Sequence, residues 1–214
     1  VLEAGCGAGW QSLALARSGR YQVDLLDFSA EALKVSQQLF AREKLEAHWI
    51  EANLAVPGQP EYDLVFNAGV LEHYTAEQQV DLVRSMASRS RRYVLVLIPN
   101  QMCYWYWLWR VVKSKDLEWT FGKEVPLTDL SAVFRAAGLQ YVGQTYLGSA
   151  WTETFIHGLT NIPIEFRKEI IAIHRSGLIP ASQSGYLLAA LGSVEPYPLE
   201  LPDWKKPSLA QALP

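Results

Sequence analysis

The chain has 214 residues, half of them apolar, and a formal net charge of −3. That length suits one α/β domain with a sizeable core. Its 19 basic and 22 acidic residues are scattered along the chain, which argues against a nucleic-acid-binding face.

In chain order, Val1 and Leu2 read as the end of a buried strand. The chain thus opens inside its first strand, and a truncated N-terminus is expected. Glu3 follows, then Gly5, Gly7 and Gly9 alternate with Cys6 and Ala8, and Trp10–Ser18 continues as a helical pattern stopped by Gly19. A strand that breaks into a glycine turn and feeds a helix lets backbone approach a ligand. The helix start adds unpaired N–H groups and partial positive charge. The second strand is expected over Tyr21–Asp27, ending on a carboxylate 20 residues beyond Gly7. Such a group can accept hydrogen bonds from ribose hydroxyls in either NAD-binding or methyl-donor folds. Ser29 reads as the N-cap of a helix running to about Lys44. Strand three is expected over Ala47–Ala52, followed by Asn53 and Leu54, and a Pro/Gly loop covers Val56–Pro60.

Strand four is expected over Tyr62–Asn67, then the turn AGVLEHY, then a helix opened by the capping box Thr75/Gln78. Val80, Leu82, Val83 and Met86 are its expected inward positions. Strand five is Tyr93–Ile98. The run that follows packs Tyr104, Trp105, Tyr106, Trp107 and Trp109 into six residues, which covers every face of a helix. It suits a packed core helix or the wall of a pocket for a flat apolar molecule, with membrane-surface contact a remoter reading. Thr128 is expected to cap a helix through Ala137, with Leu130, Val133, Phe134 and Ala137 inward and Gly138 as its stop. Strand six is Leu139–Leu147 and strand seven lies within Gly185–Val194, with an inserted helical excursion between them. No repeat or second domain is visible. The expected domain is 1–194, with helical insertions at about 101–122 and 150–184, and 195–214 is a Pro-rich tail. Cys6 and Cys103 form no C-x-x-C pair, no signal peptide is visible, and no run approaches roughly 20 apolar residues. A reducing, cytoplasmic setting is therefore expected.

Glu3-x-Gly5-x-Gly7-x-Gly9 resembles the E/D-x-G-x-G-x-G motif of class I S-adenosylmethionine (SAM)-dependent methyltransferases. LLDFSAEAL is similar to the second motif of that family, and DLVFNAGVLEHY to the fourth-strand motif of its small-molecule branch, including the ubiquinone-biosynthesis enzymes. The resemblance covers about Val1–Leu147. It implies a Rossmann-like, doubly wound sheet of seven strands, mostly parallel with an antiparallel last strand. It also implies SAM as cofactor and S-adenosylhomocysteine (SAH) as product. Glu3, Gly5, Cys6, Gly7, Gly9, Asp27, Phe28, Asn53, Leu54 and Asn67 are its implied cofactor-binding residues. Asn53 departs from the family's usual Asp but keeps a carbonyl acceptor. His73, after strand four, is the candidate base for an acceptor that must lose a proton. The acidic set of the metal-dependent relatives is missing, so no metal is expected. The Asn/Asp-Pro-Pro-Tyr motif of base-methylating enzymes is also missing, which argues against a nucleobase amine acceptor; with the aromatic run Tyr104–Trp109, the expected acceptor is a small apolar or aromatic molecule, with no nucleic-acid partner. Two alternatives stay open: a nicotinamide-dependent oxidoreductase, disfavoured by Glu3 and by Trp10 at the third-glycine position of that fingerprint, and a non-catalytic protein on the SAM fold. The oligomeric state is not fixed by any of these features.

Overall fold

A computed structural model of the chain describes residues 1–114, 122–125 and 127–195. The Pro-rich tail and most of the WTFG loop lie outside the described residues.

Seven strands form one sheet, in the order β3-β2-β1-β4-β5-β7-β6. They are β1 (Leu2–Ala4), β2 (Asp24–Asp27), β3 (His48–Glu51), β4 (Tyr62–Ala68), β5 (Ser90–Pro99), β6 (Gln140–Leu147) and β7 (Leu187–Ser193). The first five run parallel, and β7 lies antiparallel to both β5 and β6. This is the doubly wound architecture expected from the sequence, reversed strand included. The strand order reverses direction at β1/β4, the place where such sheets open a crevice beyond their strand ends.

The helices are α1 (Trp10–Arg17), α2 (Ala30–Arg42), α3 (Ala76–Arg89), α4 (Tyr104–Lys113), α5 (Ser131–Ala136), α6 (Ser149–Gly158), α7 (Ile164–Arg175) and α8 (Ala181–Ser184). Local chemistry sets their starts. Ser29 Oγ accepts from Ala32 N–H, and Thr75 and Gln78 close the expected capping box. Thr128 does not cap α5. Its N-cap position is Leu130, with no side-chain cap, and Asp129 just ahead of it accepts from Ser131 N–H at 2.9 Å and Ser131 Oγ at 2.7 Å. A carboxylate is the stronger acceptor at a helix start. Leu130 and Phe134 are fully buried, as their spacing predicts.

The main core lies between the sheet and α3/α5, with Leu2, Val65, Val83, Met86, Val94 and Phe134 at its centre. A second cluster joins α1 and α2 through Leu13, Leu25, Leu33 and Phe40. A third sits apart, where Cys103, Tyr106 and Phe155 join α4 to α6. The burial of α4 is one-sided, contrary to the all-round pattern of its sequence: Tyr106 is buried, while Tyr104, Leu108 and Val111 share an exposed face. Among the described residues no helix is long and apolar enough to cross a membrane.

Candidate active site

Two cavities open at the strand ends of the sheet. The first, of about 480 Å³, is walled by the glycine turn, the ends of β2 and β3, and the turn after β4. Gly5, Gly7, Asp27, Phe28, Asn53 and Leu54 line it, together with His73. The Asp27 carboxylate is held rigidly at the end of β2. Its Oδ2 accepts from Gly7 N–H at 2.8 Å and its Oδ1 from Ser29 N–H at 3.0 Å. The glycine turn is thereby tied to the carboxylate that faces the same space. Gly7 has φ +52°, and a Cβ built there would meet nothing within 4 Å, so its backbone lies open to the cavity. The Phe28 ring, 75% exposed, stands at one rim and offers a face to a flat group. Asn53 Oδ1 accepts from Ala55 N–H at 2.9 Å in a local turn, which leaves one lone pair for a ligand.

Four of the ten expected cofactor residues are placed elsewhere. Asn67 is fully buried, and its side chain points to α3, with Nδ2 3.4 Å from Met86 Sδ. Strand alternation puts it on the face of Val65, away from the cavity. Gly9 is a packing glycine: with φ +74°, a Cβ there would lie 2.5 Å from Leu25 Cδ2 and 3.2 Å from Ser36 Cβ. Its bareness lets α1 settle on β2 and α2. The Cys6 thiol is buried, and burial pushes its pKa up to about 12, so it stays neutral. Glu3 is 1% exposed and its Oε2 accepts from Ser12 N–H at 2.9 Å. It satisfies a first-turn N–H of α1 from beneath the helix, and burial raises its carboxyl to about 7.

The second cavity, of about 350 Å³, adjoins the first; Gly69 and His73 line both. Aromatic rings make up much of the rest: Tyr106 and Trp109 from α4, Trp151 and Phe155 from α6, and Tyr186 ahead of β7. Tyr106, Phe155 and Tyr186 touch one another with ring centroids 4.9–5.4 Å apart. Of the five aromatics in the sequence run, only Tyr106 and Trp109 reach this wall. Tyr104 is exposed, and Trp105 and Trp107 pack behind. Gly158 makes room for Trp109, whose indole lies 2.5 Å from where a Cβ would stand. Two carboxyls also line the cavity. Glu124 accepts from Tyr106 Oη at 2.7 Å and Arg110 Nη1 at 3.3 Å. Glu72 is 3% exposed, its Oε2 has no hydrogen-bond partner, and burial, with the Glu124 charge, raises it to about 8. Sequence reasoning passed over Glu72, Glu124, Trp151, Phe155 and Tyr186. Only Glu72 carried a signal, as an acidic neighbour of His73 in a short turn.

His73 ends a 3₁₀ turn, Leu71–His73. Its Nδ1 lies 3.0 Å from Lys123 O. A carbonyl only accepts, so Nδ1 carries a proton, which leaves the lone pair of the neutral ring on Nε2. Gln79 Nε2 steadies the same turn by donating to Leu71 O and Tyr74 O.

A seven-stranded sheet with a reversed seventh strand, a glycine turn tied to a carboxylate at the end of β2, and a cavity at the reversal point define the class I methyltransferase fold. Residues 1–92 match a family model described as a methyltransferase domain. A curated relative, ribosomal RNA small subunit methyltransferase C of Alcanivorax borkumensis, is 32% identical over 114 residues, half of this chain. The chain spans about a third of that relative's length, 34%. Among solved structures, magnesium protoporphyrin IX methyltransferase of Synechocystis PCC 6803, with bound SAH, is 16% identical over 90% of this chain and 72% of its own, with TM-score 0.58. Geranyl diphosphate C-methyltransferase of Streptomyces coelicolor is 12% identical over 91% of this chain and 70% of its own, with TM-score 0.56. At these identities the structural likeness speaks for the fold.

Proposed function

We propose that the chain binds SAM in the first cavity and transfers its methyl group to a small, apolar or aromatic acceptor seated in the second. The observation that carries this reading is the shared wall: the two cavities meet at Gly69 and His73, so donor and acceptor can approach without leaving the protein. Asp27 would take the ribose hydroxyls, the Gly5–Gly7 backbone the methionine part, and Phe28, Asn53 and Leu54 the adenine. The sulfonium is already an activated donor. The chain's own task is to hold the acceptor in line with it, with reacting atoms about 3–3.5 Å apart, and to exclude water. For an acceptor that must lose a proton, His73 Nε2 stands at the junction as the group to take it.

The rRNA-methylating relative supports a second reading, a nucleic-acid acceptor. Against it, the segment after β4 reads Asn67-Ala68-Gly69-Val70, without the Pro-Pro-Tyr of base-methylating enzymes. The methyltransferase-domain match also weighs against the nicotinamide alternative. Calorimetry with SAH and NADH, followed by a labelled-SAM screen of cell extract split into small-molecule and RNA fractions, separates the readings. Label in the small-molecule fraction is expected. Label confined to RNA would overturn the small-acceptor reading, SAH binding without any labelled product would favour a non-catalytic role, and NADH binding without SAH would overturn both methyl-transfer readings.

A further inference from the structure

The proposal above leaves the acceptor's chemistry open, and the second cavity narrows it. Its rings, Tyr106, Trp109, Phe155 and Tyr186, present flat apolar faces. Its ionisable carboxyls are of one sign. Glu124 is already engaged by Tyr106 and Arg110. Glu72 is different: it is 3% exposed, lines the cavity, and its Oε2 bonds to nothing. A buried polar atom without a partner is destabilising, a cost that a ligand can relieve by supplying the missing hydrogen-bond partner. Among the described residues lining the cavity none is Lys or Arg, so an anion would be buried there without a cation of its own to pair with.

We propose that the Glu72 carboxyl is the polar anchor of this cavity, and that the acceptor is a flat, apolar molecule carrying an O–H or N–H group and no negative charge. This rests on the methyl-transfer reading only in assigning the second cavity to the acceptor. Glu72 lies outside the wall of the first cavity, so its role can be tested apart from cofactor binding. Anchoring from Glu72 would hold one end of the acceptor, while Gly69 and His73 border the side that faces the donor.

Three probes of one shape test it on the SAH-loaded chain by ligand-observed NMR titration: 2-naphthol, 2-methoxynaphthalene and 2-naphthoate. The wild type is expected to bind 2-naphthol at least tenfold more tightly than either of the others. Glu72→Leu should erase the gap between the naphthol and its methyl ether, and Glu72→Gln, which keeps an acceptor, should preserve most of it. SAH affinity should stay unchanged in both. Naphthoate binding as tightly as naphthol, a preference that survives in Glu72→Leu, or no binding of any probe to SAH-loaded protein would overturn the proposal. Should Glu72→Leu fail to fold, the wild-type ranking of the three probes and the Glu72→Gln result decide alone. Failure of SAH itself to bind would instead sink the cofactor reading. The probe ranking on the free protein would still judge Glu72.

Discussion

Two glycines two residues apart in one motif should respond to the same substitution in opposite ways. Gly7 and Gly9 both hold positive φ, +52° and +74°. A left-handed conformation costs a residue with a Cβ roughly 1–2 kcal/mol. At Gly7 that is nearly the whole cost to folding, because an added methyl meets nothing within 4 Å. At Gly9 the methyl would also enter space held by Leu25 Cδ2 at 2.5 Å, and Leu25 is fully buried with little room to move. Overpacking of this kind adds roughly 1–3 kcal/mol. Gly7→Ala should therefore lose about 1.5 kcal/mol and Gly9→Ala about 3.5 kcal/mol. At roughly 2–4 °C per kcal/mol for a domain of this size, the melting temperature falls by about 3–6 °C and 7–14 °C. Ligand binding should rank the other way. The Gly7 methyl projects into the cavity and should weaken SAH at least tenfold, about 1.4 kcal/mol, whereas folded Gly9→Ala should keep its affinity within about threefold. Thermal melts paired with SAH calorimetry test both halves. A Gly9→Ala protein as stable as wild type, or a Gly7→Ala protein with wild-type SAH affinity, would refute the division of labour.

Asp27→Ala should weaken SAH by about 1.5–3 kcal/mol by calorimetry, because it removes an acceptor and frees the Gly7 N–H that organises the turn. Trp109→Ala should lose retention of aromatic acceptors with SAH binding intact, whereas Trp105→Ala, behind the wall, should cost stability and leave acceptor selectivity alone; melts and acceptor titrations tell them apart. Glu3 gives a pH signature. Its folded carboxyl titrates near 7, above the unfolded 4.5, so the contribution it makes to stability is fully present below pH 4.5 and is lost as pH rises to about 7. The loss is about 3 kcal/mol at most, and Glu3→Gln, which can still accept from Ser12 N–H, should flatten it in denaturant titrations across that window.

The sheet was legible because its signals are contiguous: the central strands are apolar runs bounded by turn residues, and Asp27 and the glycine turn sit at fixed distances along the chain. Facing was harder to read. Asn67 belongs to the right motif and the right strand end, yet the two-residue alternation of β4 turns its amide into the α3 core. Gly9 has the right spacing, but nothing local reveals that Leu25, Ser36 and Phe40 crowd it. The second cavity was only half visible. The aromatic run on α4 announces itself, but Phe155, Trp151, Tyr186 and Glu124 come from other segments and meet it only through tertiary packing. Gly158 shows the same limit: an ordinary helix-end glycine in sequence, it is the gap that admits the Trp109 indole.

Why those scattered residues gather at the edge of the glycine turn follows from the direction of β7. The register pairs Pro99, the last residue of β5, with Leu187, the first of β7, and Leu187 in turn with Leu147, the last of β6. A parallel β7 would have to begin at the opposite edge, and the chain leaving β6 would be carried across the sheet to reach it. With β7 reversed, β6 ends and β7 begins at the edge where β1, β2 and β4 end. Everything inserted between them, Gly148 to Tyr186, therefore starts and finishes beside the glycine turn and His73. Asn100 fastens this arrangement. Its Nδ2 donates to Ser182 O at 2.8 Å and Gly185 O at 2.9 Å, while its backbone carbonyl accepts from Trp107 Nε1 at 3.1 Å. One residue just after β5 thus binds the inserted helices to α4 and holds the aromatic wall beside the glycine-turn cavity.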